Sequence, residues 1–405
     1  MSTSRSAVDS GELVRPGARR RWWVCAAAVA AIWALHAQVS AASFDCQRAR
    51  TAQERFICAH PEVGDLDREM ASAYRRHIAS LSDAGLRQVL ASQRAWLAYW
   101  PRACSASTRQ VVLEAVGCAI GAYRKRIEQL KPPASGPGLL SYTVSKYRYL
   151  APEAEDAPAG THEMSWPQFE PSLGAAPPAW LPALNIWLQP SQPELSPAKQ
   201  AEADEMDAES TTDVSLNVML ITPWLVQAVK TRDFYLHGGA HGLSTLAYSH
   251  FLIEQSRPLQ PRDVFTREDW RHELAQKVWP LLQRGLGENL MVASVKDVAD
   301  LIELSSLDFS GPGLRVHFNP YDVAPYSTGP VSVTLAVEDL AGLMAEPARL
   351  RLSIAAPRTP VLSVSVPYCG PRTVCILASF ATQRPDRARC PWTESLRLAR
   401  MEVLT

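Results

Sequence analysis

Past residue 42, apolar residues first recur at helical spacing. Leu66, Met70, Ala73, His77 and Leu81 fall on one face of a helix that Asp65 can cap. Leu86, Val89, Gln93, Trp96 and Trp100 form a second stripe, which Pro101 is expected to limit. Leu113, Val116, Ile120, Tyr123, Ile127 and Leu130 form a third, spaced 3, 4, 3, 4, 3. Ahead of them, Thr51 followed by Glu54 has the form of a capping box. Lys131 to Gly138 reads as a Pro/Gly linker, and Tyr142 to Tyr149 then alternates as a strand does. Residues 151–213 are rich in Pro, Ala and acids, with one ordered-looking segment, Trp180 to Leu188.

From Thr212 the alternation is sustained. Val214, Leu216, Val218 and Leu220 predict one strand, and Leu246 to Ile253 another. A helix is expected to start near Thr266 and to show Trp270, Leu274, Val278 and Leu281 on one face. Leu307–Phe309 and Leu314–Phe318, around a Ser-Gly-Pro-Gly turn, predict a β-hairpin, and Val331 to Val337 a further strand. The expected class is α+β: a disulfide-bonded helical domain over 42–131, a linker over 132–141, and an α+β domain with an antiparallel sheet over 142–345. A β-rich tail, 346–405, is left unassigned.

Cysteines and the N-terminus set the compartment. Arg15, Arg19, Arg20 and Arg21 precede an apolar run from Trp22 to Leu35, and Val39-Ser40-Ala41 offers small residues for cleavage. Residues 1–41 therefore read as a signal peptide and the chain as periplasmic or secreted, a retained membrane anchor being the alternative. Cys46, Cys58, Cys104 and Cys118 then imply two disulfides. Three connectivities are open. The local pairs Cys46–Cys58 and Cys104–Cys118 are favoured, since each closes a small helix-loop unit, and zinc is the weaker reading. Cys369, Cys375 and Cys390 are odd in number; sequence does not pair them.

Formal charge sums to zero, which gives no support for nucleic-acid binding, but its distribution is uneven. Residues 42–131 carry 14 Lys+Arg against 9 Asp+Glu, a net of +5, while 152–213 carry 12 acids against one base, a net of −11.

The helical region resembles the LprI-type family of small secreted domains named for a lysozyme inhibitor. The matching positions are Phe44, Asp45, Cys46, Glu54, Ile57, Cys58, Leu66, Asp67, Tyr74, Gln93, Trp96, Cys104, Cys118, Tyr123, Arg126 and Leu130. The resemblance implies inhibition of lysozyme, although a region of net +5 repels a basic lysozyme. The later region resembles the extracytoplasmic domain shared by the anti-sigma factor RsiV and the peptidoglycan deacetylase PdaC. Gly238, Gly239, Ala240, His241, Asp263, Phe265, Phe318, Tyr321, Val323, Pro325, Tyr326, Gly329 and Leu340 carry that likeness. In the RsiV case it implies direct lysozyme binding.

Little in the chain has the form of an active site. His272-Glu273 starts an H-E-x-x-H pattern, but Gln276 stands where the second histidine belongs. His237-Gly-Gly-Ala-His241 has no G-x-S-x-G elbow to serve, and its glycines read as a tight turn, with metal binding or catalysis at His241 as the rival. Neither a cofactor nor a metal is expected. The reading is a non-enzymatic envelope protein that binds, and on the stronger version inhibits, lysozyme-type muramidases. Its alternatives are a cell-wall metabolic enzyme and a peptidoglycan-binding scaffold. Tyr321 and Tyr326 are packing residues or partner-binding anchors, with the acidic run Glu202, Asp204, Glu205, Asp207 and Glu209 steering the partner.

Overall fold

The structure, a computed structural model, describes residues 42–106, 112–132, 138–151, 159–190, 210–311, 313–336 and 338–345, and the backbone of two later strands. The expected signal segment, the acidic run Glu202–Glu209 and Cys369, Cys375 and Cys390 lie outside the described residues. The chain divides into two compact units, Met1–Glu69 and Met70–Thr405.

In the first unit, α1 (Ala52–Ala59) begins as expected. Thr51 Oγ1 accepts from the Glu54 amide at 3.0 Å and Glu54 accepts from the Thr51 amide at 2.8 Å, so two orphan donors of the first turn are satisfied reciprocally. So short a helix is marginal alone. The Cys46–Cys58 disulfide ties its C-terminal end to the preceding turn, and buried Asp67 accepts from the Ser43 amide at 2.8 Å. A longer helix, α2 (Pro61–Ile78), runs on into the second unit.

There, α3 (Asp83–Ala106) and α4 (Val112–Gln129) are joined by the Cys104–Cys118 disulfide. Pro101 does not end α3, which continues to Ala106. A proline removes one helical donor, but here buried Trp100 and Cys104 hold the helix on either side of it. Trp96, Trp100 and Tyr123 form the aromatic core of this part, with Tyr123 edge-on to both indoles at 5.0 and 5.3 Å.

Two sheets follow. The first runs in sequence order: β1 (Leu139–Leu150), β2 (Gly160–Pro171), β3 (Ser210–Ile221), β4 (Leu225–Leu236), β5 (Leu243–Leu252) and β6 (Arg257–Pro258). It is antiparallel except between β2 and β3, which are parallel in the register Thr161↔Thr211. A parallel pair needs a long crossover; this one carries α5 (Leu181–Trp187), whose Leu181 and Leu184 pack with Phe169, Val226 and Phe251. The second sheet has the order β11-β10-β9-β8-β7, where β7 is Leu307–Asp308, β8 Leu314–Phe318, β9 Val331–Leu335, β10 Val361–Ser365 and β11 Ser379–Ala381. Against its core packs α7 (Trp270–Leu286), preceded by α6 (Pro261–Val264) and followed by α8 (Val295–Leu301). The helix expected from Thr266 starts four residues later, because the Thr266 amide and hydroxyl are tied to the Leu343 and Gly342 carbonyls.

A polar seam joins α3 and α4 to the first sheet within the second unit. Glu170 on β2 accepts from the Ser82 amide at 2.8 Å and the Ser82 hydroxyl at 2.5 Å, at the N-terminus of α3, where the helix dipole favours an anion. Buried Arg126 donates to Gln93 at 2.9 Å, and the Ser145 amide on β1 donates to Ser92 at 3.0 Å. Lys125 bridges Glu163, at 2.8 Å, and Asp213. Burial works against the Lys125 charge, but the two carboxylates outweigh it and hold the amine above the ordinary lysine range. The opposite charges of the basic helices and the acidic stretch thus meet inside one unit.

Candidate functional site

The β4–β5 hairpin turns through His237-Gly-Gly-Ala-His241-Gly, and its glycines are conformational requirements. Gly238 has φ +83°, and a Cβ on Gly239 would lie 2.9 Å from the Leu236 carbonyl. The turn carries His241 to the loop that follows β8. There Asn319 grips β5 from both sides: its Oδ1 accepts from the Leu246 amide at 2.7 Å and its Nδ2 donates to the Leu246 carbonyl at 3.2 Å. Asp322 accepts from the Asn319 amide at 2.7 Å and closes the turn; burial raises its carboxyl above the usual carboxylate range.

The two motifs singled out in the sequence, far apart along the chain, therefore become one surface. Tyr326 stacks on His241 with ring centroids 3.8 Å apart, and its hydroxyl donates to the Gly242 carbonyl at 2.7 Å. His241 Nδ1 lies 3.0 Å from the Gly242 carbonyl, which can only accept, so Nδ1 carries the proton. Nε2 is then the acceptor for the Tyr321 hydroxyl at 3.3 Å. Tyr321 is 49% exposed and holds φ +74°, a left-handed conformation that costs a bulky residue roughly 1–2 kcal/mol. Backbone strain of this kind persists where surrounding contacts over-determine it; here those contacts are the Asn319–Asp322 turn and the His241 hydrogen bond.

The two tyrosines differ in consequence. Tyr326 is half-buried and anchors the hairpin, whereas Tyr321 offers its ring to solvent. Exposed Leu236 and Leu243 stand on the same hairpin. Sequence reasoning had no grip on Asn319, whose reach to β5 is a long-range contact. The remaining motif residues serve the frame: Val323 and Leu340 are fully buried, Gly329 has positive φ, and Asp263 pairs with Arg257 through two 2.7 Å contacts. That pairing holds the Asp263 carboxyl below its usual range. Among the described residues, no three His, Cys, Asp or Glu side chains gather as metal ligands, and no helix is long and apolar enough to cross a membrane.

Comparison with known proteins bears on the helical region. Two solved structures are similar in part, both of DUF3298 family proteins. One, from Bacteroides fragilis, is 17% identical, covers 53% of this chain and 97% of its own, and has a TM-score of 0.39. The other, from Pseudomonas aeruginosa, is 14% identical, covers 51% of this chain and 95% of its own, and has a TM-score of 0.37. No curated protein matches the chain. Residues 45–130 match the family described as lysozyme inhibitor LprI, a family of inhibitors rather than catalysts. With two disulfides formed, that match points to an extracytoplasmic location for the region spanning α1 to α4.

Proposed function

We propose that this chain is exported and that it binds and inhibits a lysozyme-type muramidase. The observation that carries the reading is the match of residues 45–130 to a lysozyme-inhibitor family, with both of that region's disulfides closed. The contact is assigned to the surface around Tyr321 rather than to the helices. Residues 42–131 are net +5 and steer a basic enzyme away, while the acidic run Glu202, Asp204, Glu205, Asp207 and Glu209 attracts it. A stiff aromatic at the centre of a contact loses little freedom on binding, and Tyr321 is held from both backbone and hydroxyl. The likeness of the later region to the RsiV/PdaC-like domain supports the same partner; residues Tyr321 to Gly329 carry it most strongly. The test is lysis of a cell-wall suspension by lysozyme in the presence of the purified mature chain. Stoichiometric suppression of clearing supports the reading; undiminished clearing at excess chain rejects it.

A further inference from the structure

We propose that the second unit holds a binding site for a neutral sugar, one or two pyranose rings of a glycan, in a cleft of about 490 Å³ between α3–α4 and one end of the first sheet. That volume lies in the range of small-ligand sites. Tyr321 is not among its lining residues, and the proposal stands independently of the muramidase reading.

Strand direction builds one wall. Because β2 and β3 are parallel, both begin at the same end of the sheet, and antiparallel β4 finishes there. Thr161, Thr211 and His237 are thereby set in a row: the two threonine hydroxyls are 2.9 Å apart, and Thr211 Oγ1 is 3.0 Å from His237 Nε2. Lys125, bridging Glu163 and Asp213, lines the same cleft. Opposite stands the helical wall. Trp96, Tyr99, Trp100 and Ala103 line the cleft at one face of α3. On α4 the lining residues Gly121 and Ala122 leave room, and a Cβ built on Gly121 meets nothing within 4 Å.

This pairing of walls selects a ligand class. Hydroxyls, an imidazole and a carboxylate–ammonium–carboxylate bridge supply both donors and acceptors, as a polyol requires. Half-buried Tyr99, whose ring also packs on Tyr147 at 4.9 Å, and 40%-exposed Tyr235 supply aromatic surface for the C–H faces of a sugar. The cleft also includes Arg126, 1% exposed, whose Nε and Nη1 are hydrogen-bonded while Nη2 has no partner. Lys125, Arg126 and Glu163 line the cleft and Lys125 also pairs with Asp213, so the four charges balance and a charged ligand would leave one sign uncompensated in a half-enclosed space. An alkyl chain would strip water from the hydroxyl–imidazole row and return no hydrogen bonds.

The full mature chain, produced with its disulfides, is titrated with N,N′-diacetylchitobiose by calorimetry and tryptophan fluorescence. N-acetylmuramic acid, which adds a carboxylate, and decanoate serve as comparators. Saturable binding of the disaccharide is expected. Gly121→Leu should weaken it by about tenfold or more by filling the space, with the melting midpoint unchanged or raised. Thr211→Val should weaken it by about fivefold through one lost hydroxyl. Neither variant should alter suppression of lysozyme, so loss of one activity does not imply loss of the other. The proposal is overturned by no saturable signal up to about 10 mM, by equal affinity in Gly121→Leu, or by tighter binding of either comparator.

Discussion

Two helical glycines should respond to the same substitution with opposite sign. Glycine in a helix interior is less stable than alanine by roughly 0.5–1 kcal/mol, so Gly121→Ala, whose new Cβ meets nothing within 4 Å, should stabilise by about that amount. Gly85, in the first turn of α3, is different. Its Cβ would lie 2.7 Å from Glu170 Oε2 and 3.1 Å from the Tyr142 ring. Glu170 is buried and cannot retreat without loosening its hydrogen bonds to the Ser82 amide and hydroxyl. Hydrogen bonds to a charged group contribute about 1.5–3 kcal/mol each, and overpacking alone costs about 1–3 kcal/mol. Set against the helical gain, Gly85→Ala should destabilise by about 2–3 kcal/mol. Since 1 kcal/mol moves the midpoint of a domain of this size by roughly 2–4 °C, thermal melts should separate the variants: Gly85→Ala down by roughly 4–12 °C, Gly121→Ala up by about 1–4 °C. In a Glu170→Ala background the Gly85→Ala penalty should shrink to what the Tyr142 contact alone imposes, as a double-mutant cycle would read. If Gly85→Ala instead melts at or above the parent temperature, the close docking of α3 on β2 is wrong.

Three further outcomes follow from particular contacts. His250 donates from Nε2 to the Leu307 carbonyl at 2.9 Å, and burial lowers its pKa to about 4. Its folded form resists protonation, so its contribution is intact above the unfolded value near 6.5 and falls as pH drops toward 4, by up to about 3 kcal/mol; urea midpoints across that window should flatten in His250→Gln. Reduction of Cys46–Cys58 and Cys104–Cys118, which close loops with sequence separations of 12 and 14, should cost about 3 kcal/mol each, read as a lowered melting midpoint with reductant. Tyr321→Gly should raise stability by about 1 kcal/mol, because glycine accepts φ +74° freely, while removing the ring proposed to contact the partner; an unchanged melt together with unchanged inhibition would count against both roles.

Local chemistry was readable in the sequence where it acts over a few residues. The Thr51–Glu54 box, the stripes that became α3 and α4, and the alternation that became β1 and β3 are all local patterns. What escaped depended on distant partners. β2 carries Pro167 and the acids Glu163 and Glu170 in an acidic, Pro-rich stretch, so it does not look like a strand; it becomes one because Lys125, Gln129 and Ser82 receive those acids. β4 has no clean strand signal because Lys230, Arg232 and Asp233 interrupt its apolar positions toward the hairpin tip. The parallel step between β2 and β3 is likewise a property of the crossover. At the candidate site, the His241 and Tyr321–Tyr326 motifs were each visible, but their meeting rests on Asn319 gripping β5 and on a tyrosine held at positive φ, neither of which has a local signal.

The most direct test of the muramidase assignment is surface-binding kinetics of lysozyme on the immobilised full chain, with Tyr321→Ala beside the parent at several ionic strengths. The Debye length falls from about 30 Å at 0.01 M to about 8 Å at 0.15 M. Association with the parent should therefore slow with added salt while dissociation stays nearly constant. Tyr321→Ala should leave the salt dependence of association in place and raise the dissociation rate by about tenfold or more, as expected for an aromatic anchor. Absence of lysozyme binding, or a Tyr321→Ala dissociation rate equal to the parent's with association indifferent to salt, would contradict the account.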